Sequence, residues 1–235
     1  ILTNDKANLE KEVEEFWKML NNQNLFNKET VIIKNENIKY MQFKKLLKYK
    51  NIKHCFTLKP TDVGSNDTYR AMKNIADKNY KDICNLLKLD SSNIVRPYQT
   101  HTNNVKKITN EIGIFPEKLQ DVDGLITREN NKILSLTFAD CTPIYLYDKQ
   151  KNIIGNIHSG WQGTVKKIAK YAIIKMKKEF NSDPKDIVCV IGPTIRKCHF
   201  EVQKDVKDIF YNTFKHMKNI DKIIEFNKNT NSYFI

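Results

Sequence analysis

Three side chains able to do metal or nucleophilic chemistry stand at the ends of apolar segments, each beside turn residues. They are His101 in Tyr98-Gln99-Thr100-His101, Cys141 in Phe138-Ala139-Asp140-Cys141-Thr142-Pro143, and His158 in Ile157-His158-Ser159-Gly160-Trp161-Gln162-Gly163. Strand ends on a rigid scaffold can present ligands on one shared rim. One cysteine and two histidines make an open zinc site, with three protein ligands and a fourth position for water or substrate. Zinc so held lowers the pKa of a bound water toward neutrality, and the same donor set also suits copper. The separations of 40 and 17 residues follow no local metal motif. Residue type alone therefore leaves other readings open. Cys141 could pack as a small buried hydrophobe, and either histidine could be a hydrogen-bonded structural residue. Cys141 and His158 could also form a thiolate–imidazolium nucleophile pair.

The elements that must position these residues are read from hydrophobic period. Residues 5 to about 22 have Leu9, Val13, Phe16 and Leu20 on one helical face, and Asn21 to Asn24 break the pattern like a linker. Strands are expected at Val31–Lys34, Ile38–Tyr40 and His54–Leu58, then a helix from Thr68 to Leu89 with Met72, Ile75, Ala76, Ile83 and Leu87 on its apolar face. From Ile94 short β-branched segments alternate with turns: Ile94–Tyr98, Val105–Ile108, Gly124–Thr127, Ile133–Phe138, Ile144–Tyr147 and Ile153–His158. Ile133–Phe138, Ile153–Ile157 and Ile187–Ile191 are nearly continuous in apolar character and read as strands buried on both faces. A helix is expected from Thr164 to about Phe180, and a last one around Gln203–Lys215. Strands and helices do not strictly alternate, so the fold class is α+β.

At 235 residues the chain suits one main domain with an appendage. No run approaches the roughly 18 apolar residues of a membrane span, and Ile1-Leu2-Thr3-Asn4 does not read as a signal peptide. The five cysteines are scattered and form no CxxC pair, which argues against a disulfide framework and for a reducing, cytoplasmic setting. The formal charge of +13 invites nucleic acid as a partner. The lysines are spread along the whole chain and fall on solvated helix faces, as with Lys166, Lys167, Lys170, Lys177 and Lys178, which argues against it. The positive field still favours anionic substrates such as phosphate.

Taken together, the motifs resemble an ordered set. Gln99-Thr100-His101 with Val105 resembles the Q-x-H-x-x-x-V element of the YfiH-like "laccase-domain" family, and Asp123-Gly124-Leu125-Ile126-Thr127 its D-(A/G)-L-(I/V)-T element. Ala139-Asp140-Cys141-Thr142-Pro143 is similar to A-D-C-x-P, and His158-Ser159-Gly160-Trp161-Gln162-Gly163-Thr164 to H-(A/S)-G-W-R-G-T. Ile191-Gly192-Pro193-Thr194-Ile195, Phe200-Glu201-Val202 and His54-Cys55-Phe56-Thr57-Leu58-Lys59 resemble I-G-P-x-I, (Y/F)-E-V and H-x-F-S-T-R. The resemblance runs from about Val31 to the end of the chain. It sets residues 1–25 apart as an appended helix and linker, and residues 26–235 as the catalytic domain, with a Cys-Thr and Arg-rich tail expected beyond it.

The resemblance implies a mixed β-sandwich flanked by helices, like the catalytic domain of cytotoxic necrotizing factor. It also implies a zinc bound by His101, Cys141 and His158, with copper as the other possibility. The implied reactions are purine nucleoside phosphorolysis and adenosine deamination, with nucleoside and phosphate as partners. Polyphenol oxidation and editing of peptidoglycan precursors are the family's other assignments. Deamination needs an activated water at C6 of adenine and a carboxylate to shuttle protons, for which Asp140 stands ready. Phosphorolysis needs an anion site, for which Lys59 and the helix terminus at Thr164 are the expected contacts, with Gln99 a further expected substrate contact. Gln162 and Lys59 both stand where the family has Arg. A Gln brings no charge there, and a Lys brings a point charge without the bidentate fork. A laccase would need a further histidine-rich copper cluster, yet only His54, His199 and His216 remain. A cysteine hydrolase using Cys141 should survive metal removal, and a nucleic-acid binder should lose binding steeply with salt.

Overall fold

The computed structural model describes residues 29–61, 63–64, 69–111 and 119–235. The amphipathic helix expected over residues 5–22 lies outside them. In chain order the main elements are β1 (Thr30–Asn35), β2 (Ile38–Phe43), β3 (Phe56–Thr57), α1 (Tyr69–Leu87), β4 (Ile94–Val95), β5 (Val105–Lys107), β6 (Gly124–Thr127), β7 (Ile133–Leu134), β8 (Thr142–Asp148), β9 (Ile153–Ser159), α2 (Trp161–Val165), α3 (Ile168–Phe180), β10 (Ile187–Ile191), β11 (Glu201–Val202), α4 (Lys204–Phe214), β12 (Glu225–Asn227) and β13 (Ser232–Phe234).

The central sheet has the order β10-β8-β9-β6-β5, antiparallel except for the parallel pair β5–β6. Strand alternation sends successive β9 side chains to opposite faces. Ile153 and Ile157 join Ile144, Leu146 and Ile126 on one face and pack against Ile168, Ala172, Met176 and Phe180 of α3. Ile154 faces the other way, with Tyr145 and Tyr147. These pack against Met41, Phe43 and Leu46, from the small sheet β1-β2-β3 and the turn of helix after it. The result is helix, central sheet and small sheet in layers: the mixed α+β sandwich expected from the sequence. The parallel pair β4–β7 and the sheet β11-β13-β12 flank it.

Four expectations are corrected. Ile133–Phe138 is not a central strand: only Ile133–Leu134 pairs, with β4, and its residues are half-buried. Beyond it, the Thr137 backbone bonds to the side chain of Gln99 instead of a neighbouring strand. Ile187–Ile191 pairs on one side only, at the edge of the sheet, which leaves Cys189 exposed. The helix expected to start at Thr164 is two helices, α2 and α3, parted at Lys166 and at Lys167, which takes a left-handed φ of 61°. Ile75, expected on the apolar face of α1, is 55% exposed, whereas Ala76, Ile83 and Leu87 of that face are buried.

Candidate active site and metal centre

Three chain segments converge at the end of β9. β8 and β9 pair Thr142 with Ser159 and Pro143 with His158, so Cys141, one residue before β8, arrives beside the end of β9. The loop before β5 brings His101. The donor atoms of His101, Cys141 and His158 all lie within 4.8 Å of one another, and the two imidazole centroids are 5.1 Å apart. His158 is buried, Cys141 half-buried and His101 exposed, so the cluster opens to one side.

Asp123 organises this arrangement. Its carboxylate is fully buried and accepts from His158 Nδ1 at 2.8 Å, Thr102 N at 2.7 Å, Thr102 Oγ1 at 2.7 Å and His101 N at 3.1 Å. One acidic group thus fixes the His158 ring and also clamps the loop that holds His101 at a φ of 62°. A left-handed conformation is costly for a non-glycine residue and needs such outside support. Burial pushes the Asp123 carboxyl up, but the bonds from His158 and Thr102 outweigh it and hold the carboxyl below its usual value. Burial pulls the His158 imidazole down, but Asp123 and then Cys141 outweigh it and lift it to about 9. In the sequence Asp123 stands only as the first residue of the motif Asp123-Gly124-Leu125-Ile126-Thr127, with no partner in view. The available signal was a lone carboxylate leading an otherwise apolar strand.

The donor set fits a metal ion. Two imidazoles and a thiolate are the ligands of a three-residue zinc site, and the bond from Nδ1 to Asp123 leaves His158 Nε2 for a cation, as the carboxylate behind a metal-bound histidine does. The space beside the donors is kept free by Gly160. A Cβ there would lie 2.6 Å from His101 Cδ2 and 3.1 Å from Cys141 Sγ.

The cluster lies on a cleft of about 1650 Å³ lined also by Lys59, Gln99, Phe138 and Asp140. Asp140 and Lys59 are exposed there, and the Asp140 carbonyl is tied down by Ile195 N and Thr194 Oγ1. Gln99 reaches the cleft, but its amide is committed to Thr137. Its Nε2 donates to Thr137 O and its Oε1 accepts from Thr137 N, both at 2.9 Å. Thr164 is not brought to the cleft. Its N–H and hydroxyl both bond to Gly160 O, and its oxygen also meets Ser159 Oγ, so it caps nothing that a phosphate could use. The helix start moves to Gly160, because α2 begins three residues earlier than expected.

His54 and His199 lie apart from the cluster. His54 Nε2 accepts from Phe43 N at 2.7 Å, and His199 Nδ1 meets Cys198 Sγ at 3.0 Å. Among the described residues no second group of metal-binding side chains occurs. No helix among them is long and apolar enough to cross a membrane.

An α+β sandwich with a histidine–cysteine–histidine cluster on an open cleft defines a class of protein with a candidate metal site. The chain belongs to the family described as multi-copper polyphenol oxidoreductase laccase, which it matches over residues 64–234. It is 36% identical over 136 residues to purine nucleoside phosphorylase YlmD of Bacillus subtilis, covering 56% of this chain and 49% of that protein. It is 39% identical over 122 residues to a purine nucleoside phosphorylase of Bacteroides thetaiotaomicron, covering 50% and 45%. The chain spans about half the length of these curated relatives. The crystal structure of Bacillus licheniformis protein YfiH superposes with a TM-score of 0.73 at 26% identity, covering 87% of this chain and 79% of that one.

Proposed function

We propose that this chain carries the active site of a zinc-dependent purine nucleoside phosphorylase that also deaminates adenosine. The observation that carries the reading is the convergence of His101, Cys141 and His158 beside the cleft, with Asp123 behind them. The names of the relatives supply the substrate class, and the family supplies the enzyme. When bound, a divalent cation would supply Lewis acidity at the cleft floor.

The chain's own residues have separable tasks. Asp123 fixes the His158 tautomer and the His101 loop, so the donors are preorganised. Asp140, with its backbone anchored and its side chain exposed at the cleft, carries the proton that a departing base or amine needs. Lys59 offers the positive charge that draws phosphate into the cleft. Gln99 positions the Thr137 segment instead of touching substrate.

The test is to assay inosine and adenosine, with and without phosphate, for wild type and Cys141→Ala, with elemental analysis of both. Phosphate-dependent release of base, together with metal in wild type and neither in Cys141→Ala, supports the reading. Turnover by metal-free wild type would refute it. A cysteine hydrolase acting on cell-wall precursors is the second reading, favoured by the contact of Cys141 with His158. It expects chelation to leave activity intact.

A further inference from the structure

Strand alternation that turns His158 toward the cleft turns Asn156, two residues earlier on β9, the same way, about 7 Å along the strand. Facing these two side chains runs the segment Leu134 to Phe138. Asn156 Nδ2 donates to Leu134 O at 3.0 Å, which fixes the amide's orientation. Its Oδ1 is then left buried with no hydrogen-bond partner, in a residue only 8% exposed. A buried acceptor without a donor is an exception that calls for an explanation. At the other end of the segment, the Phe138 ring lies 5.4 Å from the His158 ring at 49°, with Phe56 6.2 Å beyond it at 40°. Both phenylalanines are half-buried in the cleft wall.

An aromatic wall beside the metal-binding cluster and an unpaired acceptor at the far end of the same segment, both on the cleft, match one kind of ligand. It is flat and π-rich, and it carries an N–H donor on its edge. We propose that Phe138, backed by Phe56, is the surface on which a purine base stacks, and that Asn156 Oδ1 accepts an N–H from the base's six-membered ring edge. This rests on the purine nucleoside reading above, and it adds which residues recognise the base. Phe138 then sets base affinity while supplying no donor to the metal site.

The experiment measures inosine and ribose 1-phosphate binding to zinc-loaded wild type, Phe138→Leu and Phe138→Trp by calorimetry, with metal content alongside. Base–aromatic stacking corresponds to roughly a tenfold to hundredfold change in affinity. Phe138→Leu should weaken inosine by about that factor, Phe138→Trp should restore it, and ribose 1-phosphate and zinc content should not change. 1-Methylinosine, which lacks an N–H on that edge, should bind wild type more weakly than inosine. If wild type binds inosine and Phe138→Leu binds it equally well, the stacking surface is refuted while the nucleoside reading stands. Equal weakening of ribose 1-phosphate would make Phe138 a merely structural residue. Equal affinity of wild type for 1-methylinosine and inosine would remove Asn156 from recognition. If wild type binds no purine nucleoside, the functional reading fails and this proposal with it.

Discussion

Replacing Asp123 by Asn keeps the shape of the side chain and removes its charge. In the wild type Oδ1 serves His158 Nδ1 and His101 N, while Oδ2 serves Thr102 N, Thr102 Oγ1 and, at 3.4 Å, Thr100 N. An amide must place its NH2 against one of these sets of donors. With the NH2 turned toward Thr102, that hydroxyl can rotate to accept, but the Thr102 N–H and the longer Thr100 N–H lose their partner. Loss of one charge-assisted bond costs about 1.5–3 kcal/mol, and a buried unpaired donor adds about 1–3 kcal/mol, with partial relief from relaxation. Metal-free Asp123→Asn should therefore unfold with about 2–4 kcal/mol less free energy than wild type. Loss of the carboxylate behind a metal-bound histidine typically costs 10- to 100-fold in metal affinity, or about 1.4–2.8 kcal/mol. Urea unfolding of the metal-free proteins measures the first effect, and zinc competition against a chromophoric chelator measures the second. Zinc affinity within about twofold of wild type, with unchanged stability, would refute Asp123 as the organiser of the site.

Other expectations follow from single contacts. Gly160→Ala keeps an allowed backbone, with φ −68°, but drives a methyl into His101 and Cys141. Zinc affinity should fall by about tenfold or more with little change in Tm, read by the same chelator competition. His54 is lowered to about 4 by burial, and its Nε2 must stay unprotonated to accept from Phe43 N. Its folded pKa lies below the unfolded value near 6.5, so its contribution is complete above about pH 6.5. That contribution is lost as pH falls toward 4, by up to about 3 kcal/mol. Urea unfolding across that window should show the decline, and His54→Gln should flatten it. Lys167→Gly relieves a left-handed residue between α2 and α3 and should raise unfolding free energy by about 1 kcal/mol, leaving zinc affinity unchanged.

The layered fold was legible where apolar pattern and strand length agreed, as in Ile153–Ser159, which is buried on both faces as its sequence suggests. Pattern failed where an apolar run had no partner strand. Ile133–Phe138 looks like a core strand, yet a glutamine side chain holds half of it, and no periodicity encodes that. The break between α2 and α3 carries no Gly or Pro; Lys167 takes the left-handed conformation instead, so nothing local announces it. The hairpin Glu225–Asn227 and Ser232–Phe234 was missed because its strands are three residues each, too short to show alternation. At the site, the three candidate donors could be named from residue type and turn context. Their meeting depends on the β8–β9 hairpin, whose polar turn at residues 148–152 is legible in the sequence, and on the buried Asp123 carboxylate, which lies far along the chain from both histidines and is announced by no local signal.

X-ray absorption at the metal edge of zinc-loaded protein tests the central claim most directly, in wild type and in Cys141→Ser. Wild type should show one sulfur near 2.3 Å and two imidazole nitrogens near 2.0–2.1 Å, with the remaining coordination from light atoms, and Cys141→Ser should lose the sulfur shell. A wild-type spectrum without sulfur, or one unchanged by Cys141→Ser, would contradict a cation held by His101, Cys141 and His158.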